Sequence, residues 1–248
     1  MIICKSPEEL ATMRHSGRIV ALVLQELTGA SKPGISTGQL DKLASKIIGQ
    51  EGAKPAFLGY RGFPASVCTS FNEQVVHGIP GKRQLIEGDL LSIDVGVEYQ
   101  GYFADAAATI PVGEANQEAR SLVKVARQAL SDAIEQVQVG NRLFDVSAAI
   151  QRRAEGHGYS VVRDFVGHGI GQNMHEDPQI PNYGEPGTGP ALKEGMVLAI
   201  EPMVNQGTYE VKVLPDKWTV VTADAKLSAH FEHSVAVTSD GPKILTTL

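Results

Sequence analysis

The chain has 248 residues, of which 42% are hydrophobic and 20% charged, the composition of an ordinary globular protein. Its 22 Lys and Arg residues against 28 Asp and Glu residues give a formal net charge of −6, which is not the charge expected of a nucleic-acid-binding protein. No segment reaches the ~18 apolar residues that a membrane span requires. Cys4 and Cys68 form no Cys-x-x-Cys pair, which excludes a zinc ribbon and a disulfide framework. These features predict a cytoplasmic globular protein that binds neither membranes nor nucleic acids.

Helix-start signals and helical spacing of apolar residues predict four helices. Ser6 is followed by proline and then by Glu9, the pattern of a capping box with proline at the first helical position. Ser36 and Gln39 predict a second capping box. The predicted helices cover residues 7–28, 36–52, 116–137 and 144–155.

Short extended segments and Gly/Pro-rich loops occupy the remainder of the chain. Gly34 with Gly52, and Gly140 with Gly158, form two pairs at the same spacing, and each pair brackets a helix that leads to a strand. This repeated spacing predicts a duplicated unit, although glycine is common at helix ends in any case. No low-complexity linker divides the chain, so we predict one domain, residues 1–248. The predicted strands are 66–72, 90–97, 101–111, 161–167, 196–204, 209–214, 218–222 and 229–238.

Two acidic residues, Asp94 and Asp105, lie inside otherwise apolar strands. In a hairpin centred between Tyr99 and Gln100 the two carboxylates face each other directly, with Cβ atoms ~4.5–5.5 Å apart. Tyr-Gln is a poor two-residue turn, which leaves this register open. Facing carboxylates destabilise a strand pair unless a cation lies between them. The pair therefore predicts a bound metal.

The C-terminal half repeats this anomaly. Glu201 ends an apolar strand, Glu232 lies within another, and His168 stands between two glycines. Taken singly, each acid fits an exposed strand end and the histidine fits a loop; five such residues together are harder to explain in that way. Four carboxylates and one imidazole suit two divalent ions better than a closed thiolate zinc site. His77 and His175 are candidate donors to a developing oxyanion or leaving nitrogen.

Seven short motifs occur in a characteristic order along the chain: Lys32-Pro33-Gly34, Ser70-Phe71-Asn72-Glu73, His77-Gly78-Ile79-Pro80, Gly167-His168-Gly169-Ile170-Gly171, His175-Glu176-Asp177-Pro178-Gln179, Ala199-Ile200-Glu201-Pro202 and Phe231-Glu232-His233. In this order they resemble the type I methionine aminopeptidases of the pita-bread family. The resemblance implies the α+β pita-bread (creatinase/aminopeptidase) fold, in which an antiparallel sheet is flanked by helices with an internal pseudo-two-fold duplication.

The same resemblance implies a dinuclear metal centre. Asp94 would chelate one metal, and His168 and Glu201 would hold the other. Asp105 and Glu232 would bridge the pair. Iron(II), manganese, cobalt and zinc all fit this mixed ligand set, so the sequence leaves the metal open.

Three residues would then act on the substrate. His77 and His175 would meet the substrate amide and the tetrahedral intermediate, and Glu201 would shuttle a proton as well as bind metal. Asn72 and Ser228 occupy positions where family members often bind a monovalent cation. The methionine side chain would enter a pocket formed by Phe57, Tyr60, Phe63, Cys68 and Trp218.

An enzyme of this family would remove the initiator methionine from nascent polypeptides whose second residue is small and uncharged, after deformylation, through a hydroxide that bridges the metals. The family suggests a monomer. Arg61, Met174 and His230 stand where the family often has histidine, an aromatic residue and glutamine, which leaves the fine substrate preference open. Lys32, Lys42, Lys46 and Lys54 could guide docking at the ribosome near the exit tunnel. Ordinary solvent-exposed lysines are the favoured interpretation of these four residues.

Two other functions stay open. One is a proline-specific aminopeptidase or dipeptidase of the same fold. The other is a pita-bread binding module without catalysis, although such modules typically lack metal ligands and all five are present here.

Overall fold

A computed structural model describes residues 1–248 and contains four helices: α1 (Pro7–Ala30), α2 (Thr37–Gln50), α3 (Gln117–Glu135) and α4 (Leu143–Glu155). The capping box at the start of α1 is present, since Ser6 Oγ accepts from the Glu9 N–H at 3.3 Å and Glu9 Oε2 accepts from the Ser6 N–H at 2.7 Å. At the start of α2 the Ser36 N–H donates to Gln39 Oε1 at 2.9 Å. Both helix starts therefore lie where the sequence predicts them.

The strands are short and numerous. In chain order they are β1 (Lys54–Pro55), β2 (Cys68–Phe71), β3 (Gln74–Val76), β4 (Leu90–Tyr99), β5 (Tyr102–Pro111), β6 (Ser160–Val161), β7 (Gly167–Gly169), β8 (Glu176–Ile180), β9 (Val197–Ile200), β10 (Met203–Asn205), β11 (Val211–Val213), β12 (Val220–Thr222), β13 (Ser228–His230), β14 (His233–Thr238) and β15 (Gly241–Ile244). A single 3₁₀ turn covers Tyr60–Gly62.

All strand pairs are antiparallel. One sheet joins β4 to β1, β2 and β5, and a five-stranded sheet has the order β15-β14-β9-β7-β8. Two three-stranded sheets have the orders β13-β10-β6 and β11-β12-β3. Helices flank these sheets, with α1 against β4 and β5, and α3 against β9, β10 and β13. The expected α+β arrangement is confirmed.

The predicted continuous strand 161–167 is wrong. Only β6 and β7 are extended at its two ends, and a loop separates them. The Asn182 amide explains the loop, because its Nδ2 lies 3.3 Å from the Val162 carbonyl oxygen and 3.5 Å from that of Phe165. A distant side chain thus takes hydrogen bonds that a strand ladder would otherwise use.

The duplicated unit is present in the structure. The helices α2 and α4 begin at Thr37 and Leu143, and the strands β1 and β6 that follow them begin at the same offset, Lys54 and Ser160. The helix cap repeats as well: the Arg142 N–H before α4 donates to the Asp145 carboxylate at 2.7 Å, as the Ser36 N–H before α2 donates to Gln39. A repeated helix–strand unit explains the paired glycines of the sequence.

The turn between β4 and β5 corrects the predicted hairpin. Tyr99 pairs with Tyr102, so the two-residue turn is Gln100-Gly101 rather than Tyr-Gln. Both turn residues have positive φ, 50° and 82°, as a type I′ turn requires. Glycine accepts this conformation without a Cβ clash, which explains why the turn lies one residue further along the chain.

This shift changes the relation of the two strand carboxylates. Asp94 pairs with Ala107, and Asp105 pairs with Gly96. The two acids therefore share one face of the hairpin but are diagonal neighbours, so the predicted directly opposed register is wrong. Diagonal positions still allow the two side chains to approach each other.

Backbone pairing between β5 and the segment before β14 joins the two halves of the chain. The Glu232 N–H donates to the Ala107 carbonyl at 2.9 Å, and the Ala107 N–H donates to the Glu232 carbonyl at 3.3 Å. Two residues away, the Asp105 N–H donates to Ser234 Oγ at 3.0 Å. These bonds place Glu232 beside the Asp105 carboxylate.

Two large apolar cores lie on either side of this junction. One forms among α1, α2, β4 and β5, and the other among α3, α4, β9, β13 and β14. The strand residues Asp94 and Asp105 are buried, with 9% and 4% of their surface exposed. None of the helices has the length and hydropathy needed to cross a membrane.

A buried ion pair ties the N-terminal segment to the start of β8. Lys5 Nζ lies 2.6 Å from Glu176 Oε2, and the two side chains are only 3% and 6% exposed. The lysine also donates to the Ile3 carbonyl at 3.1 Å, and the second carboxylate oxygen accepts from the Asn173 N–H at 3.1 Å. Each charge in this pair therefore has a further hydrogen-bond partner besides the opposite charge.

We expect Lys5→Met to lower the free energy of unfolding by about 3–5 kcal/mol, because it leaves the Glu176 carboxylate buried without a cation. Urea unfolding measures the effect. The matched control is Lys54→Met, which breaks a pair with Glu98 whose lysine is 78% exposed, and which we expect to cost at most about 1 kcal/mol. If both variants lost the same free energy of unfolding, burial would not be what makes the Lys5–Glu176 pair important for stability.

Candidate active site

A single cavity of about 130 Å³ brings together residues from both halves of the chain. All the residues that the sequence predicts for metal binding, catalysis and the methionine pocket lie in its wall, with Arg61 and Met174 in addition. The lining residues are Phe57, Tyr60, Arg61, Phe63, Cys68, His77, Asp94, Asp105, His168, Met174, His175, Glu201, Trp218 and Glu232.

A carboxylate–imidazole cluster forms one end of the cavity. One ligand atom each of Asp105, His168 and Glu232 lie within 4.8 Å of one another, and all three side chains are buried. Glu201 Oε1 is 3.7 Å from His168 Nε2, and the glutamate side chain is 15% exposed. Asp94 is buried on the same hairpin face as Asp105. The five predicted ligands thus converge from β4, β5, β7 and the segments after β9 and β13.

The cluster is electrostatically costly without a cation. Burial raises the pKa of Asp94 to about 7. The pKa values of Asp105, Glu201 and Glu232 are raised well above the usual range, first by burial and then by the charges of neighbouring carboxylates. No lysine or arginine pairs with any of these acids. Their ionised forms therefore require a cation from outside the chain.

His168 is held in the form that can bind a metal. Its Nδ1 lies 2.8 Å from the Gly169 carbonyl oxygen, which can only accept a hydrogen bond. The proton therefore resides on Nδ1, and Nε2 presents its lone pair to the carboxylates. Burial lowers the pKa of His168 to about 3, so the ring is neutral at physiological pH.

Unpartnered atoms in the cluster fit a pair of divalent metal ions. Asp94 Oδ1, Asp105 Oδ1 and Glu232 Oε1 are buried and have no hydrogen-bond partner. Buried polar atoms are rarely left in this state, because the lost solvation is not repaid. Hard carboxylate oxygens with one imidazole nitrogen form a donor set suited to divalent transition metals.

We expect the stability of the metal-free protein to fall between pH 7 and 8.5. The cluster carboxyls have raised pKa values, so the folded protein retains protons that the unfolded chain has lost, and stability decreases as pH rises. The buried histidines have lowered pKa values and are neutral in both states above about pH 7, so they contribute little there. The slope is about 1.4 kcal/mol per pH unit for each carboxyl still protonated.

Thermal unfolding in chelator, compared with the metal-loaded protein, measures this slope. The loaded protein should lose less stability over the same range, because the ions compensate the carboxylate charges. Identical pH profiles with and without metal would contradict the assignment of the cluster.

His230 is a site residue that the sequence prediction did not assign to the site. Its Nε2 lies 3.7 Å from Glu201 Oε2 and 4.0 Å from Glu232 Oε2, and the side chain is buried. Burial lowers its pKa to about 3. Its position two residues before Glu232 is the signal that could have found it, since alternate residues of an extended chain share a face.

The other end of the cavity is apolar. The Phe63 ring packs edge-to-face against Trp218 at 5.1 Å and against Phe57 at 6.5 Å between ring centroids. Gly96 leaves room for this wall, because a Cβ there would lie 2.6 Å from Phe57 Cε1. Burial raises the pKa of the Cys68 thiol well above its usual value, so it remains a neutral, polarisable wall group. Such a pocket accommodates an unbranched apolar side chain.

Two histidines lie between the acidic and the apolar ends. Tyr60 Oη and His175 Nδ1 are 2.9 Å apart, and the His175 ring lies 4.2 Å from that of His168. His77 has a positive φ of 60° and contacts Phe165 edge-to-face at 5.7 Å. Burial lowers the pKa of His77 to about 4, and it also lowers that of His175. Both rings are therefore neutral at physiological pH and can donate an N–H to a bound substrate.

The residues considered for a monovalent cation lie side by side. The Ser228 N–H donates to the Asn72 carbonyl at 2.8 Å. The Asn72 amide bonds to Asp89 and to the Leu90 N–H, both within 2.9 Å. A cation at this position stays a prediction.

The chain is similar in sequence and in fold to known proteins. The model of metallopeptidase family M24 matches residues 11–239. Methionine aminopeptidase 1 of Bacillus subtilis is 54% identical over 99% of both chains. The crystal structure of the methionine aminopeptidase of Thermotoga maritima superposes with a TM-score of 0.98, at 47% identity and over 100% of both chains. A prolidase from Pyrococcus horikoshii OT3 has a TM-score of 0.81 at 24% identity, over 100% of this chain and 64% of that one, a likeness in fold alone.

Proposed function

The chain belongs to the methionine aminopeptidases of metallopeptidase family M24, and from this premise we propose that it removes N-terminal methionine from polypeptides whose second residue is small and uncharged, after deformylation. The observation that carries the proposal is the shared cavity, in which a buried carboxylate–imidazole cluster meets an apolar side-chain pocket.

Five residues are proposed to hold two divalent ions. Asp94 would bind one, His168 and Glu201 the other, and Asp105 and Glu232 would bridge them. When bound, such ions lower the pKa of water, orient the substrate and polarise its carbonyl group. Iron(II), manganese, cobalt and zinc are the candidates, and a monovalent cation near Asn72 and Ser228 is a further, weaker one.

The side chains of the cavity would orient the substrate for cleavage. Phe57, Tyr60, Phe63, Cys68 and Trp218 would surround the methionine side chain and exclude water from it. The methionine thioether suits this aromatic and sulfur-containing wall. Burial of the side chain would place the scissile amide between the apolar pocket and the acidic cluster.

His77, His175 and Glu201 are proposed to handle protons and developing charge. If Tyr60 donates to Nδ1 of His175, the ring proton resides on Nε2 and is available to the substrate. His77 would donate to the substrate amide from the opposite wall. Glu201, with its raised pKa and residual exposure, would accept the proton of the attacking water and pass it to the leaving amine.

We propose that residues 1–248 form one catalytic domain, since residues from both halves of the chain line the shared cavity. We also propose a cytoplasmic monomer that acts on nascent chains. Docking at the ribosome would use Lys32, Lys42, Lys46 and Lys54, which are all exposed, although Lys54 Nζ also lies 3.2 Å from Glu98 Oε2.

The alternative functions are not favoured. A proline-specific peptidase has support only from likeness in fold to longer proteins, among them two prolidases and an X-Pro aminopeptidase. A binding module without catalysis would not need five metal-type ligands and two histidines in a single cavity.

Peptide hydrolysis by chelator-stripped protein tests the proposed function. Met-Ala-Ser and Ala-Pro peptides would be incubated with and without iron(II), manganese, cobalt or zinc, with iron kept anaerobic. Metal-dependent release of methionine from the first peptide alone is expected. Cleavage before proline without methionine release would contradict the proposal, as would failure to cleave either peptide by folded, metal-loaded protein.

A further inference from the structure

An arginine without a partner lies in the wall of the cavity. Arg61 is exposed, belongs to the 3₁₀ turn Tyr60–Gly62 and has a positive φ of 48°. Only Arg83 and Arg153 among the arginines pair with carboxylates, so the Arg61 charge is not compensated within the chain. It is the one Lys or Arg side chain in a wall otherwise made of acids, histidines and apolar groups.

Arg61 lies on the exposed side of the cavity wall, beside Tyr60. Its guanidinium carbon lies 5.4 Å from the centre of the Tyr60 ring, and that tyrosine contacts His175 through its hydroxyl. Burial lowers the pKa of His175, and the charge of Arg61 lowers it further, which agrees with their proximity. The apolar pocket for methionine lies further inside, among Phe57 and Phe63. With methionine in that inner pocket, the part of the substrate that follows the scissile bond would leave the cavity on its exposed side, where Arg61 lies.

The length of an extended peptide identifies the substrate position. One residue spans ~3.3–3.6 Å. With the scissile amide at the acidic cluster and the two histidines, the second substrate residue would begin at that place. The third residue would then lie one step outward, on the side of His175 where Tyr60 and Arg61 lie. A carboxylate on that residue would compensate the guanidinium charge through a hydrogen-bonded ion pair.

We propose that Arg61 is a specificity-determining residue that binds an acidic side chain at the third position of the substrate. The proposal rests on the proposed function. If Arg61 had only a structural role in the 3₁₀ turn, through its backbone conformation and its packing against Tyr60, its replacement would not change the dependence of the rate on substrate charge.

A comparison of peptides that differ only at the third residue tests this inference. The substrates are Met-Ala-Asp-Leu-amide, Met-Ala-Asn-Leu-amide and Met-Ala-Lys-Leu-amide, amidated so that no terminal carboxylate competes for Arg61. We expect kcat/KM for the Asp peptide to exceed that for the Asn peptide by about two- to fivefold, and this preference to weaken in 0.5 M salt. The ratio of the two rates is used, so that changes common to all substrates cancel.

Variants of Arg61 separate charge from structure. In Arg61→Gln the Asp/Asn ratio should fall to about one, in Arg61→Lys part of it should return, and in Arg61→Glu the Lys peptide should become preferred. The control is Arg152→Glu, the same charge change at an exposed position of α4 outside the cavity, which should leave the ratio at its original value.

Two kinds of result would contradict the inference. An Asp/Asn ratio of one in the unaltered enzyme, or a ratio that persists in Arg61→Gln, overturns the inference while leaving methionine release intact. Absence of methionine release from every peptide overturns the proposed function itself, and the inference with it.

Discussion

Asp105→Asn is expected to abolish methionine release. The carboxylate is buried, is proposed to bridge two metal ions and has one oxygen with no partner in the chain. An amide offers no negative charge to the ions, so we expect weakened metal binding and a loss of turnover greater than the roughly 100-fold that even outer-sphere changes cause at metal sites. Metal content after gel filtration and kcat with saturating metal measure the two effects.

The same substitution, which should abolish activity, should not lower the thermal stability of the metal-free protein. Burial and the neighbouring carboxylates raise the pKa of Asp105, so removal of its charge should preserve or increase the Tm in chelator. The increase in Tm on adding metal should shrink. Asp240→Asn, at an exposed turn between β14 and β15, is the control and should change none of these quantities. A fully active Asp105→Asn enzyme would eliminate the proposed dinuclear centre.

His175→Ala is expected to retain its metal and lose kcat by roughly 10²–10³, the usual effect of removing one donor to a developing oxyanion. The ring contacts His168 but no carboxylate of the cluster, so its loss leaves the five proposed ligands in place. Tyr60→Phe removes only the contact at Nδ1 and should have a smaller effect in the same direction.

Metal analysis distinguishes this role from that of a ligand. His157→Ala, at an exposed position after α4, is the matched control and should behave as the unaltered enzyme. Loss of metal from His175→Ala would make the residue a ligand and refute the proposed role. Unchanged kcat with full metal content would remove it from the chemistry altogether.

The amino-acid sequence by itself determined the features that depend on near neighbours. The starts of α1 and α2 were predictable because Ser6 with Glu9, and Ser36 with Gln39, interact within one helical turn. The repeated helix–strand unit was visible as equal glycine spacings. The candidate ligands were also visible individually, since an acid within an apolar strand is conspicuous without any knowledge of its partners.

Only the tertiary structure decided the relations between distant segments. The positive φ values of Gln100 and Gly101 moved the hairpin by one residue and made the strand carboxylates diagonal neighbours. The backbone pairing of Ala107 with Glu232 then brought an acid from the other half beside Asp105.

Surroundings decided the rest of the site. Only the fold showed that His230 lies beside Glu201 and that Arg61 lies in the cavity wall, because these neighbours come from separate segments of the chain. Burial, charge and open space around a side chain are properties of packed surfaces. The local sequence specifies which chemical group is available, and the fold specifies what that group faces.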